Sequence, residues 1–238
     1  MTKLILSPHF DDAVFSLGGM IAANPKDCII CTIFAGTPPE PLTTKWDTGN
    51  GFKDSTESME ARIRENESAL TFLGVEKENI IDWDFLDNQY RTEPINKFKL
   101  ADILKGYICR VSEQEKDLQV YCPIALRKLP VRHCDHDELC SSFRIAIDTL
   151  GDLGIEFYFY EDQPYVNMSK DQVKNGDDQD FIWDMVENEY GLTMSKDNQT
   201  GDWEKKIKAA KMYASQYHNG LYTYLAKEIE TSYMVGEF

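Results

Sequence analysis

Two short segments hold the side chains that could do chemistry. The first is Ser7-Pro8-His9-Phe10-Asp11-Asp12, directly after the apolar run Lys3-Leu4-Ile5-Leu6. The second is His133-Cys134-Asp135-His136, after the apolar stretch that ends in Cys122. The chain has four His, and three of them fall in these two segments. His9 and Asp12 are metal-ligand types three apart in a turn, and Asp11 between them is a carboxylate with no evident structural task. Together the segments offer two His and one Asp as ligands, with Asp11, Asp135 and a third His to spare. Three protein ligands with one open position is the arrangement of a catalytic zinc.

Positioning these groups requires strand ends. The pattern predicts strands over 4–7, 28–35, 79–85, 118–122 and 155–160, alternating with helices over 13–24, 58–73, 94–112 and 136–150. That alternation predicts an α/β fold, a Rossmann-like open and mainly parallel sheet with helices on both faces and right-handed crossovers. Both chemical segments then lie at carboxyl ends of strands, where open α/β sheets bind ligands. The segment 37–58 is rich in Pro, Gly, Thr and Asp with Trp46 and Phe52 among them, and it leaves a strand end where a lid over the site would start. After residue 160 the pattern predicts a loop over 161–174, an acidic turn over 175–180, and helices over 202–216 and 221–231. This is a C-terminal loop-and-helix extension of roughly 161–238 on a core of roughly 1–160, and no linker divides 1–238 into two domains.

Composition narrows the function classes. Hydrophobic residues make up 42%, enough for a proper core, and the net charge of -16 opposes nucleic acid and anionic membrane as partners. No stretch of about 18 apolar residues and no signal-peptide pattern occurs, so the expectation is a cytoplasmic protein with no membrane insertion. Cys28 and Cys31 have CxxC spacing but sit in an apolar strand, where side chains three apart face opposite ways. They read as small core residues. His218 receives no role.

The two segments resemble the motifs of the LmbE-like (PIG-L) family of zinc-dependent N-acetyl-sugar deacetylases. Phe10 and Cys134 stand where that family usually has Pro, and every polar member is present. Arg62, Glu65, Leu73, Gly74 and Val75, then Phe85-Leu86-Asp87, and then Tyr213-Ala214-Ser215-Gln216 are similar to further family elements. The resemblance implies that His9, Asp12 and His136 bind Zn²⁺, although two His and a carboxylate also suit another divalent metal such as ferrous iron. It implies Asp11 as general base, and His133 as a second cation and acid, held protonated by Asp135. It also implies Arg62 and Asp87 as holders of sugar hydroxyls, and a small-molecule amino-sugar substrate of N-acetylglucosamine type. Some members place an additional Tyr acid just upstream of the second motif, and Leu129-Pro130-Val131-Arg132 contains none.

Structural uses stay open beside these roles. Asp11 could merely complement a helix dipole, Asp135 could be an N-cap, and Arg62 could pair with a nearby Glu on a helix surface. Trp46 and Phe52 could be loop anchors or sugar-stacking platforms. The Lys-rich 202–216 helix reads as a solvated face. Rival functions are an amidase of the same superfamily acting on a larger amide or thiol conjugate, and a non-catalytic nucleotide- or sugar-binding module. The second would want a Gly-rich loop where this chain has acids.

Overall fold

The computed structural model describes residues 1–125, 129–150, 153–172, 194–217, 225 and 229–236. Its elements in chain order are β1 Thr2–Ser7, α1 Asp12–Ala23, β2 Cys28–Thr32, α2 Lys45–Gly49, α3 Ser55–Leu73, β3 Ile80–Asp82, α4 Lys97–Gln114, β4 Leu118–Pro123, α5 Cys134–Leu150, β5 Glu156–Tyr160, α6 Tyr165–Gln172, β6 Met194–Thr200, α7 Trp203–Ala210, α8 Ala214–Tyr217 and β7 Ile229–Val235. Among the described residues one sheet runs β3-β2-β1-β4-β5-β7-β6. Its first five strands are parallel, and β7 and β6 add antiparallel at the edge.

Alternation along the strands divides the core. Leu4 and Leu6 of β1, Val120 and Cys122 of β4, and Phe157 and Phe159 of β5 pack with α4 and α5 on one face. Ile5, Tyr121, Tyr158 and Tyr160 turn the other way and pack with α1, α3 and α7. The strands read as unbroken apolar runs because both faces are covered. Cys28 joins the second face and Cys31 the first, so the CxxC pair is split across the sheet, and all six Cys are free thiols.

The chain leaves β1 toward β2 and β3 on one side, then returns to β4 on the other. The crevice between the carboxyl ends of β1 and β4 is thus the topological switch point, the ligand position of open α/β sheets. Helix α3 ends at Gly74, whose φ of 105° is left-handed and costs glycine nothing. Helix α1 breaks at Leu17 (φ −122°, ψ 17°). The N–H groups of Gly19 and Met20 donate to the Glu230 carboxylate at 2.8 Å each, and Lys206 Nζ donates to the Ser16 carbonyl at 3.2 Å. A Cβ on Gly18 would meet Lys206 Cγ at 2.8 Å, which accounts for a glycine there.

The C-terminal part departs from expectation. The loop expected over 161–174 contains α6, and the loop-and-helix extension contributes two strands to the main sheet. β6 reads MSKDNQT, an edge strand too polar for its sequence to show a strand pattern. The helix expected over 221–231 lies largely outside the described residues, but where they resume the chain is β7. There Glu230, which satisfies the broken α1, stands in for an apolar residue and hides the strand. The helix expected over 202–216 stops at Ala210, and its Lys face is not wholly solvated. Lys206 is 2% exposed and donates to Glu230 at 2.8 Å, and Lys205 caps the Leu73 carbonyl of α3 at 2.8 Å. The acidic turn over 175–180 and His218 lie outside the described residues.

Candidate active site

The turn after β1 is folded on its own polar groups. Ser7 Oγ donates to the His9 carbonyl at 2.6 Å and accepts from the Ala13 N–H at 3.0 Å. The His9 N–H donates to Asp12 Oδ2 at 2.8 Å. This places His9 Nδ1 3.4 Å from Asp12 Oδ2. From the first turn of α5, His136 Nε2 comes within 3.3 Å of the same Asp12 oxygen and 3.2 Å of His9 Nδ1. Nitrogen and oxygen ligands at about 2.0–2.1 Å from a tetrahedral ion lie roughly 3.3–3.4 Å from one another. The three donor atoms therefore have the mutual spacing of one face of such a polyhedron. Further ligand-type atoms, including those of His133, Asp87, Asp135 and Asp162, cluster around them.

Each imidazole has a carboxylate on its other nitrogen. His136 Nδ1 is 2.5 Å from Asp162 Oδ2, and His9 Nε2 is 3.0 Å from Asp135 Oδ2. Such pairing fixes the ring and its tautomer and leaves the facing nitrogen's lone pair for a metal. Asp162 was not found by sequence reasoning. It follows β5 at a parallel strand's carboxyl end, and that position was the available signal. Burial opposes charge on His9, but Asp87, Asp12 and Asp135 outweigh it and push the imidazole up to about 9. His136 is raised well above its ordinary value, as Asp12 and Asp162 outweigh its burial. Asp12 is held far below the usual carboxylate range, because His136 and His9 outweigh the cost of burying it.

Asp11 points elsewhere. It is the N-cap residue of α1, but its side chain makes no capping hydrogen bond, and it lines a cavity of about 200 Å³ above the three donor atoms. Burial and the Asp12 charge raise its carboxyl to about 6, against the pull of Arg62 and His9. Arg62 is buried on α3, not on a helix surface, and its Nη1 donates to Asp87 Oδ2 at 3.2 Å. Its guanidinium lies 5.6 Å from the Phe10 ring centroid and 5.1 Å from that of Trp46. Trp46, carried by α2 within the 37–58 segment, also stacks on Phe52 at 6.4 Å and lines the cavity. The segment is thereby fastened to the site through Arg62.

His133 lines the same cavity, and its relation to Asp135 differs from expectation. The Asp135 carboxylate faces His9, and His133 Nδ1 is 3.9 Å from it. That ring nitrogen accepts the Asp135 backbone N–H at 3.3 Å, so the hydrogen of a neutral His133 sits on Nε2. Burial, with the charges of His9 and His136, lowers His133 to about 4. The accepted N–H and the lowered pKa both favour a neutral ring over the expected imidazolium. Burial is the main cause, and the upward pull of Asp135 and Asp87 does not overcome it.

Tyr165 opens α6 at the cavity wall, with its ring 4.9 Å from that of His136. Sequence reasoning looked for a Tyr upstream of the second motif, and this one lies downstream of it. Gln216 also reaches the cavity. It is delivered by Glu65, which accepts from Ser215 Oγ at 2.6 Å and from the Ser215 N–H at 2.9 Å. Two separate sequence elements, around Arg62 and around Ser215, thus meet in space.

Solved structures share the whole architecture. The deacetylase–bog complex of the teicoplanin biosynthesis pathway superposes with a TM-score of 0.74 at 21% identity, covering 99% of this chain and 98% of that one. The A40926 pseudoaglycone deacetylase Dbv21 gives 0.73 at 24% identity, covering 99% and 97%. The 4-carboxy-2-hydroxymuconate hydratase GalB of Pseudomonas putida KT2440 gives 0.54 at 19% identity over 100% and 98%. At such identities these likenesses establish the fold, and the fold carries more than one chemistry. No curated protein matches the chain by sequence. Among the described residues, no helix is long and apolar enough to cross a membrane. The family model for GlcNAc-PI de-N-acetylase matches residues 4–147, a stretch that contains both chemical segments, Arg62 and Asp87, and the chain belongs to that PIG-L deacetylase family.

Proposed function

We propose that the protein is a metal-dependent hydrolase that removes the acetyl group from an N-acetylated amino sugar or its conjugate. The observation that carries this reading is the set of three donor atoms, His9 Nδ1, Asp12 Oδ2 and His136 Nε2, at 3.2–3.4 Å from one another beneath a cavity walled by Asp11. Two imidazoles and a carboxylate suit zinc. A bound divalent ion supplies a water acidic enough to attack near neutral pH and a Lewis acid for the amide oxygen.

The chain's own residues supply the rest. Asp11 makes none of the short contacts that join the three donors, so its carboxylate is free to take the water's proton. With His133 neutral, the proton held by Asp11 is the one passed to the leaving amine. His133 Nε2–H serves as a neutral donor to the oxyanion. Asp135 and Asp162 hold His9 and His136 in register. Arg62 and Asp87, already paired to each other, present a cation and an acceptor to sugar hydroxyls. The A40926 pseudoaglycone deacetylase and the teicoplanin-pathway deacetylase, which share this fold, are precedents for deacetylation of a larger conjugate.

The test combines zinc content with acetate release from a panel of N-acetylglucosamine derivatives, before and after chelation. Chelator-sensitive acetate release is the expected result. Asp11→Asn should keep the metal and lose turnover by roughly 10²–10⁴-fold. Bound metal with a larger acid as product would replace the deacetylase reading with an amidase. No metal under any condition would remove both.

A further inference from the structure

Behind Asp135 lies a residue that neither motif contains. Arg91 sits in the segment between β3 and α4, and its Nη2 donates to Asp135 Oδ1 in a short contact and to Glu138 Oε2 at 2.7 Å. The guanidinium is fixed on its other sides. Nε donates to the Leu86 carbonyl at 3.1 Å, Nη1 to the Glu93 carbonyl at 3.1 Å, and the group lies 5.5 Å from the Phe34 ring centroid. The same segment brings the Asn88 N–H onto Asp135 Oδ2 at 2.9 Å. Asp135 is fully buried and has Asp87 as an acidic neighbour, through the His9 Nε2 they both face at 3.0 and 3.7 Å.

A buried carboxylate keeps one orientation when each of its oxygens has a fixed donor, and Arg91 and Asn88 supply one to each oxygen of Asp135. So held, Asp135 Oδ2 faces His9 Nε2 at 3.0 Å and turns Nδ1 of the same ring toward Asp12 and His136. Rotated away, it would release the ring. We infer that Arg91 is a positioning residue for the metal centre, acting through Asp135 to hold His9 in the tautomer and orientation that a metal ion needs. This inference rests on the metal reading given above. The relay runs Glu138–Arg91–Asp135–His9 and joins the loop after β3 to the end of β1.

The test is zinc affinity of the full chain, measured by competition with a chromophoric chelator, which needs no substrate. Removal of a supporting partner of a ligating His typically costs about 10–100-fold in metal affinity. Arg91→Met is expected to weaken zinc binding within that range, with Arg91→Lys in between because the charge remains and the two-pronged fork is lost. Arg91→Gln keeps a donor for the loop carbonyls without the charge, and it stands in if the Met variant does not fold. In the Asp135→Asn background the Arg91 substitution should add little, because the two act in series. The inference is overturned if a folded Met or Gln variant binds zinc within twofold of the wild type. It is equally overturned if the two losses simply add. A wild type that binds no zinc would instead refute the metal reading itself, and this inference with it.

Discussion

His9 Nε2 stands 3.0 Å from Asp135 Oδ2, while Nδ1 of His133, two residues from that Asp in sequence, stands 3.9 Å from the same oxygen. The contact across 126 residues wins over the contact across two because α5 begins at Cys134. Once the chain enters a helix, positions two apart do not face each other. Asp135 turns inward to the β1 turn, and His133, just before the helix, stays at the cavity wall.

Two neighbours in one motif should therefore fail in different ways. His133→Phe removes a neutral donor to the oxyanion and should lower kcat by roughly 10²–10³-fold with zinc binding unchanged. Asp135→Asn should weaken zinc by about 10–100-fold. Steady-state kinetics under saturating zinc, paired with chelator competition, separates the two effects. Equal loss of zinc in both variants would mean that His133 is tied to the metal as closely as Asp135, contrary to the geometry.

The first 160 residues were legible because their physics is local. Strands covered on both faces read as apolar runs, helices show their period, and Gly74 marks a stop that only a left-handed residue supplies cheaply. The two chemical segments announced themselves by packing three of four His beside acids at strand ends. What escaped was held by distant partners. Lys206 looked solvated because its acid, Glu230, is 24 residues away in sequence, on another element. Asp162 and Tyr165 sat in a stretch too mixed in composition to show α6. Arg91 drew no reading at all, since its partner Asp135 is 44 residues further on. The distinction between Asp11 and Asp12 could be drawn from resemblance but not from spacing, for adjacent residues at a helix start differ only in direction.

Lys206 also gives a stability prediction. Its ammonium is buried with Glu230, and the pair closes the break in α1 by serving the Ser16 carbonyl and the Gly19 and Met20 N–H groups. Breaking a buried pair by removing one partner typically costs about 3–5 kcal/mol. Glu230 would keep its two backbone donors in Lys206→Met, so the loss should fall near about 3 kcal/mol, the lower end of that range. Urea unfolding of the two proteins measures it. A loss below about 1 kcal/mol, the worth of an exposed pair, would show that Lys206 is not the buried partner described.

The split CxxC pair predicts how the fold responds to alkali. Cys28 is wholly buried on β2, and burial pushes its thiol from 9.0 up to about 12, with a smaller upward push from Asp27 and a downward one from Lys3. Unfolded, that thiol ionises near 9, and folded it keeps its proton until about 12. Between those values the unfolded chain binds fewer protons, so stability falls as pH rises. Below pH 9 the contribution is complete. The urea midpoint of the wild type should therefore drop more steeply from pH 8 to pH 10 than that of Cys28→Ala, which has no thiol to ionise. The variant should start lower at pH 8, because a buried atom is lost, and the two curves should converge as pH rises. Ellman's reagent should meanwhile label exposed Cys134 in the native protein and leave Cys28 and Cys31 untouched. Parallel pH curves, or rapid labelling of Cys28, would mean that this thiol reaches solvent and that the pair is available for redox chemistry after all.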